Sequence, residues 1–121
     1  MNIVQITFFL IVSLVFSYLF AVATQNLQIE MHESLHKKIY KVYGVDSNIS
    51  FTQSQYLLSS GLTTPSPDIN RMSVVQFDSM FNKQILNEAV AYNTHWFLFS
   101  IVWVLWFIAF MLFYAFVVWR E

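Results

Sequence analysis

Two histidines and a glutamate stand close together in this 121-residue chain, within the run His32-Glu33-Ser34-Leu35-His36. In a helix, residues four apart lie on one face, so both imidazoles could bind a single zinc ion. The glutamate between them could then act as a base on a zinc-bound water molecule. These residue types at this spacing make a candidate metal site, and hydrolysis is the chemistry it would support.

The run resembles the signature of the zinc metalloproteases, over five residues. In families whose third ligand is a glutamate, that residue comes from a second helix, and the resemblance implies Glu88 as its counterpart. By helical rise, Glu88 stands level with His32 and His36 if the two helices are antiparallel. The ligand set on this hypothesis is His32, Glu33, His36 and Glu88.

A plainer interpretation competes with this one. Two histidines at this spacing, with Glu33 four residues before Lys37, also describe a solvated helix face that carries an ion pair. The pattern fixes only three positions, and we predict no sheet edge that could hold an extended peptide. We therefore expect a protein that is not an enzyme and has no bound metal or cofactor.

The elements that position these residues follow from the distribution of charge. Eleven of the 13 charged side chains lie between Glu30 and Glu88, and the other two are Arg120 and Glu121. A helix needs about 20 apolar residues to cross a bilayer, and both charge-free stretches are long enough. The sequence predicts spans from about Ile3 to Thr24 and from about Thr94 to Trp119.

The first span has an Ala21-Val22-Ala23 sequence typical of a signal-peptidase site, but no positive residue precedes it, so we expect a retained anchor. Two spans place both termini on one side of the membrane. The lysines of the connecting segment favour the cytoplasmic, matrix or stromal side for that segment.

Residues within the spans predict how they pack. Ser13, Ser17 and Ala21 are spaced four apart, a row of small residues that lets another helix approach closely. The second span is rich in bulky aromatic residues, and Trp96 and Trp119 are expected to anchor it at the two membrane interfaces. Neither span contains an internal Asp, Glu, Lys or Arg, which argues against a pump or a channel.

Outside the spans, two apolar stripes have a helical period. One consists of Leu27, Met31, Leu35, Ile39 and Val42, and the other of Val74, Phe77, Phe81, Ile85 and Ala89. We predict an all-α membrane protein, in which two transmembrane helices form a hairpin with helical extensions outside the bilayer. The segments are 1–24 and 94–121 for the spans, 25–44 and 73–93 for the extensions, and 45–72 for a polar linker with a short helix near 52–60.

The remaining polar candidates are ambiguous. Lys37, Lys38 and Lys41 could contact lipid headgroups, cardiolipin included, or an acidic neighbouring subunit, or simply face solvent. His95 at the start of the second span suits an interfacial hydrogen bond better than a haem, quinone or proton-transfer role.

Composition excludes several function classes. The chain has no cysteine, so disulfides, thiolate metal sites and cysteine nucleophiles are absent, and its two glycines cannot form a phosphate-binding loop. A net charge of −1 gives no electrostatic footprint for nucleic acid, and we expect no small-molecule substrate.

Abundant Phe, Ile, Tyr and Asn with scarce Gly and no Cys resembles the composition of small organelle-encoded subunits of respiratory-chain or ATP-synthase membrane complexes. The resemblance implies a non-catalytic structural subunit in the mitochondrial inner membrane, whose partners are other subunits and lipid. The alternatives are an assembly or interaction subunit of a bacterial or photosynthetic membrane machine, and a membrane-tethered zinc hydrolase.

Overall fold

The computed structural model describes residues 3–53 and 57–120, and the side chains of residues 119 and 120 lie outside its description. The chain forms helix α1 (Ile3–Val42), strands β1 (Ser47–Gln53) and β2 (Ser59–Pro65), a short 3-10 helix (Pro67–Arg71) and helix α2 (Val74–Arg120). Both α-helices are long and apolar enough to cross a membrane. The protein is therefore mostly helical, with two segments that suggest membrane spans.

Local sequence signals set the inner ends of both helices. At the end of α1, Gly44 has φ +75°, the Gly44 N–H donates to the Lys41 carbonyl, and the Val45 N–H donates to the Tyr40 carbonyl. This pair of hydrogen bonds is a Schellman motif, which uses a left-handed glycine to end a helix.

A capping box starts α2. The Gln76 N–H donates to the Ser73 hydroxyl at 3.3 Å, and the Ser73 N–H donates to the Gln76 side-chain oxygen at 3.2 Å. The two helix ends lie within two residues of the bounds expected for the extensions, 44 for the first and 73 for the second.

The linker differs from the prediction, because it contains an antiparallel two-stranded sheet. Ser47 of β1 pairs with Pro65 of β2, and the register continues to Gln53 opposite Ser59. The all-α class is therefore wrong in this segment. Of the short helix expected near 52–60, residues 52–53 and 59–60 lie in strands instead, and residues 54–56 lie outside the described part. The physical reason is the run of Ser, Thr, Ile and Phe, which suits a pleated surface better than a helix.

The chain divides into two compact units. The apolar unit comprises Met1–Thr24 and Trp96–Glu121, and the polar unit comprises Gln25–His95.

In the apolar unit, the row of small residues is buried against α2 of the same chain. Ser13, Ser17 and Ala21 are at most 2% exposed. The Trp103 indole N–H donates to the Ser17 hydroxyl at 3.1 Å, and the hydroxyl donates to the Leu14 carbonyl. Within this unit α2 runs antiparallel to α1, and the small residues on α1 make room for the bulky rings of α2.

Aromatic pairs complete this packing. Rings from the two helices meet along the whole unit, in the pairs Phe9–Tyr114, Phe16–Phe110, Phe20–Trp106 and Tyr18–Trp103. The opposite faces expose large apolar side chains, among them Phe8, Ile11, Leu112 and Phe113. Such a surface suits lipid rather than water.

In the polar unit, the apolar stripe of α1 is exposed and a mainly polar face of the helix is buried. Leu27, Met31 and Leu35 are 62%, 73% and 45% exposed. The enclosed side chains of α1 are instead Gln25, Ile29, Glu33 and His36, and those of α2 are Met80 and Gln84. A mainly polar seam therefore packs between the helices, and the apolar stripe of α1 (Leu27, Met31 and Leu35) faces outward.

Candidate functional site

Three side chains of the polar unit converge on one point. His32 and His36 come from successive turns of α1, and Glu88 comes from α2. One ligand atom from each residue lies within 4.8 Å of the others. The helical spacing of the histidines and the antiparallel course of α2 bring these groups together.

The distances within this cluster are short. Nε2 of His36 lies 3.1 Å from Nε2 of His32 and 3.0 Å from Oε1 of Glu88. Oε2 of Glu88 lies 3.6 Å from Nε2 of His32. Two imidazole nitrogens and a carboxylate thus form a triangle that could share a proton or a cation.

Gln84 orients one of the ligands. Its side-chain N–H donates to the His36 backbone carbonyl at 3.4 Å, which turns its oxygen towards Nδ1 of His36. In this arrangement Nδ1 of His36 carries the hydrogen and donates it to Gln84. In the neutral imidazole the lone pair is then on Nε2, the atom that faces His32 and Glu88.

Glu33 belongs to a different set of contacts. The Thr63 hydroxyl lies within hydrogen-bond distance of two acceptors on Glu33, the side-chain Oε2 at 2.6 Å and the backbone carbonyl oxygen at 3.2 Å. Its side chain also packs over Gly61, where an added Cβ would lie 2.8 Å from Cδ of Glu33. The structure therefore assembles His32, His36 and Glu88 and places the Glu33 carboxylate against β2.

The three side chains of the cluster differ in solvent exposure. The side chains of His32 and His36 are 17% and 9% exposed, whereas that of Glu88 is 60% exposed. The expectation of a solvated face holds for neither Glu33 nor His36, and the Glu33 carboxylate contacts Thr63 instead of forming the expected pair with Lys37. A cavity of about 420 Å³ beside the cluster is lined by Glu33, His36, Glu88 and apolar side chains such as Phe77 and Met80.

The other candidates lie outside this cluster. His95 faces Gln25, whose side-chain nitrogen is 2.9 Å from its Nε2. Lys37, Lys38 and Lys41 are exposed. Trp96 is exposed, and the Trp119 side chain lies outside the described part.

A further polar contact lies near the hairpin, between Tyr43, which directly follows α1, and residues of α2. The Tyr43 hydroxyl is 2.8 Å from the Ser79 hydroxyl, and the Lys83 ammonium lies 5.0 Å from the centre of the Tyr43 ring. Hydrogen bonding from Lys83 and Ser79 lowers the pKa of Tyr43.

Sequence reasoning missed Gln84, Thr63 and Gly61. Gln84 could have been found, because it precedes Glu88 by four residues and so shares its helix face. Thr63 and Gly61 were hidden, because both belong to a strand that the sequence analysis treated as a polar linker.

No family model matches this chain, and neither does any curated protein or solved structure.

Proposed function

We propose that this chain is a non-catalytic structural subunit of a larger membrane complex. The observation that carries the proposal is the outward-facing apolar stripe of α1 in the polar unit. Glu30, Lys37 and Lys38 are exposed charged residues on the same and the next helical turns, so the bilayer core cannot cover this stretch at an acceptable cost. A protein neighbour can cover it.

The energetics favour such a neighbour. Burial of apolar surface stabilises an interface by about 25 cal/mol per Å², and three large side chains on successive turns form a continuous ridge. A helix that lays apolar residues into the groove of another protein is a common recognition mode. The exposed Lys37, Lys38 and Lys41 extend this surface and suit an acidic subunit or anionic lipid, cardiolipin included.

Composition supports the cellular setting within this proposal. The abundance of Phe, Ile, Tyr and Asn favours an organelle-encoded subunit of the respiratory chain or ATP synthase in the mitochondrial inner membrane. Both termini would then lie on the same side of that membrane.

Hydrolysis is the weaker candidate. A hydrolase with this motif would use Glu33 to activate a metal-bound water. The hydrogen bond from Thr63 and the packing on Gly61 instead give this carboxylate a structural role.

The test is assembly in the native membrane. Tagged chain is extracted in a mild detergent and run on a native gel, and the co-migrating proteins are identified. We expect the wild type to migrate at an apparent mass well above that of the 14.3 kDa chain with its bound detergent, and to carry the same partners in each preparation. Leu27→Gln, Met31→Gln and Leu35→Gln together should move the chain into a free band.

The matched control keeps the stripe apolar, as Leu27→Met, Met31→Leu and Leu35→Met, and should stay in the large band. Wild-type chain that migrates alone would contradict the proposal. Co-migrating proteins from a bacterial or photosynthetic machine would replace the mitochondrial setting while keeping the structural role.

A further inference from the structure

We propose that His32, His36 and Glu88 bind one Zn²⁺ ion, which joins α1 to α2 within the polar unit. This site is independent of the structural-subunit proposal, because it rests on the seam between the helices and not on the outward-facing stripe. The ligands are Nε2 of each histidine and the carboxylate of Glu88.

The first support is a convergence of hydrogen-bond acceptors. Because Nδ1 of His36 donates to Gln84, the neutral form of this imidazole carries its lone pair on Nε2, which faces the carboxylate of Glu88 at 3.0 Å. Two acceptors at this distance repel each other unless a cation or proton lies between them. The nearby Nε2 of His32 supplies a further nitrogen directed at the same point.

The second support is the size of the triangle. Zinc bonds of about 2.0–2.1 Å in tetrahedral geometry separate neighbouring ligand atoms by roughly 3.3–3.4 Å. The three distances between ligand residues are 3.0, 3.1 and 3.6 Å. The 3.0 and 3.6 Å distances end on different oxygens of Glu88, so a zinc ion fits once the exposed Glu88 carboxylate turns one oxygen towards both nitrogens.

The third support is the hydrogen bond between His36 and Gln84. Histidines that bind metals usually donate their other ring hydrogen to a carbonyl or carboxylate, which fixes the tautomer. Gln84 accepts this hydrogen from His36, and its own orientation is fixed by the His36 carbonyl. The ring is therefore held with Nε2 towards His32 and Glu88, which is the orientation that a metal at this point requires.

The ligand types favour zinc or a transition metal over magnesium and calcium. Two imidazoles and one carboxylate suit zinc, whereas magnesium and calcium prefer oxygen ligands alone. The exposed side of Glu88 leaves the fourth position to water. Because the three ligands come from both helices, a bound ion stabilises their packing in proportion to its binding free energy.

The experiment uses the full chain purified in mild detergent and freed of metal by a chelator. Zn²⁺ is titrated by calorimetry, and Co²⁺ is titrated as a spectroscopic substitute whose visible absorption reports tetrahedral geometry. We expect one ion per chain, tetrahedral Co²⁺ bands that Zn²⁺ abolishes, and a higher melting temperature with Zn²⁺.

Variants identify the ligands. His36→Gln and Glu88→Gln should each weaken Zn²⁺ binding by at least 100-fold, and Glu88→Gln changes the most exposed of the three ligands. Gln84→Leu should weaken binding about 10–100-fold and alter the Co²⁺ spectrum, as expected for a positioning residue.

The controls are His95→Gln, which alters the third histidine of the chain, and Asp78→Asn, which alters another acid of α2. Both should bind Zn²⁺ like the wild type. Failure of the wild type to bind one ion per chain would overturn the proposal, because the cluster would then be a hydrogen-bonded group only. Equal affinity in the Glu88→Gln variant would also overturn it, because Glu88 would then not be a ligand.

Discussion

At the residue scale, neighbouring side chains of one short run have separate tasks. His32 and His36 face Glu88 across the helix seam, whereas Glu33, one position along the helix, turns towards β2. A rotation of about 100° per residue separates these directions. The run that resembles a hydrolytic motif therefore serves two different contacts of α1.

Gly61 permits the second of these contacts, because a side chain there would overlap Glu33. We expect Gly61→Ala to destabilise the hairpin by about 1–3 kcal/mol through overpacking. Hydrogen exchange of the β1 and β2 amides measures this local stability.

A double-mutant cycle provides the control. In a Glu33→Ala background, the Gly61→Ala change should cost little, because the overlapping atoms are gone. An equal cost in both backgrounds would contradict the steric explanation.

The other glycine has a purely conformational role. Gly44 has φ +75°, and an added Cβ would meet nothing within 4 Å. We therefore expect Gly44→Ala to cost about 1–2 kcal/mol from left-handed backbone strain alone. Gly44→Asn should cost less, because asparagine tolerates this conformation. Exchange of the Val45 amide, which closes the Schellman motif, reports the effect, and equal protection in the two variants would be inconsistent with it.

At the element scale, each long helix changes the kind of residue that it buries. In the apolar unit, α1 buries Ser13, Ser17 and Ala21 against aromatic rings. In the polar unit, it buries Gln25, Glu33 and His36, which have hydrogen-bonding partners on α2 or β2. In the apolar unit, the complementary sizes of the side chains determine which helix faces pack together. In the polar unit, paired hydrogen-bonding groups determine it.

The small-residue row yields a prediction about packing. Ser17→Leu should lower the melting temperature of the chain in detergent, because it removes the acceptor of the Trp103 N–H and overpacks a fully buried position at a cost of about 1–3 kcal/mol. Near-UV circular dichroism follows the aromatic packing during melting.

Val15→Leu is the matched control, since Val15 lies on the exposed face of the same helix. It adds bulk without entering the seam and should leave the melting temperature unchanged. Equal shifts in the two variants would show that the row of small residues has no special role.

At the scale of the whole molecule, the absence of cysteine makes topology directly measurable. A single cysteine at Ser50, in the exposed hairpin, should react with a membrane-impermeant maleimide from one side of sealed vesicles. A cysteine at Phe8 or Leu112 should remain unlabelled until detergent is added, because the expected spans would place both positions in lipid. A Glu121→Cys variant should react from the side opposite to Ser50→Cys.

Labelling of Ser50→Cys and Glu121→Cys from the same side would contradict a two-span topology. Labelling of Phe8→Cys or Leu112→Cys in intact vesicles would place that helix in water. Either result would also remove the basis for a membrane-embedded subunit.

The sequence by itself determined the features that depend on local chemistry. Charge-free stretches gave two helices suited to a membrane, Gly44 ended α1, and Ser73 with Gln76 began α2. Each of these signals acts within a few residues, through hydrophobicity, backbone conformation or capping hydrogen bonds, and so is legible without knowledge of neighbours in space.

Only the tertiary structure decided which helix faces meet. Apolar periodicity grouped Leu27, Met31 and Leu35 on one face of α1 but did not show what that face contacts. The polar face lies inside, because Gln84 and Thr63 supply partners that lie 30 or more residues away in the chain. The strand that carries Thr63 was itself hidden in a polar linker. Long-range pairing of polar groups, which no local pattern encodes, thus positioned the histidines against Glu88.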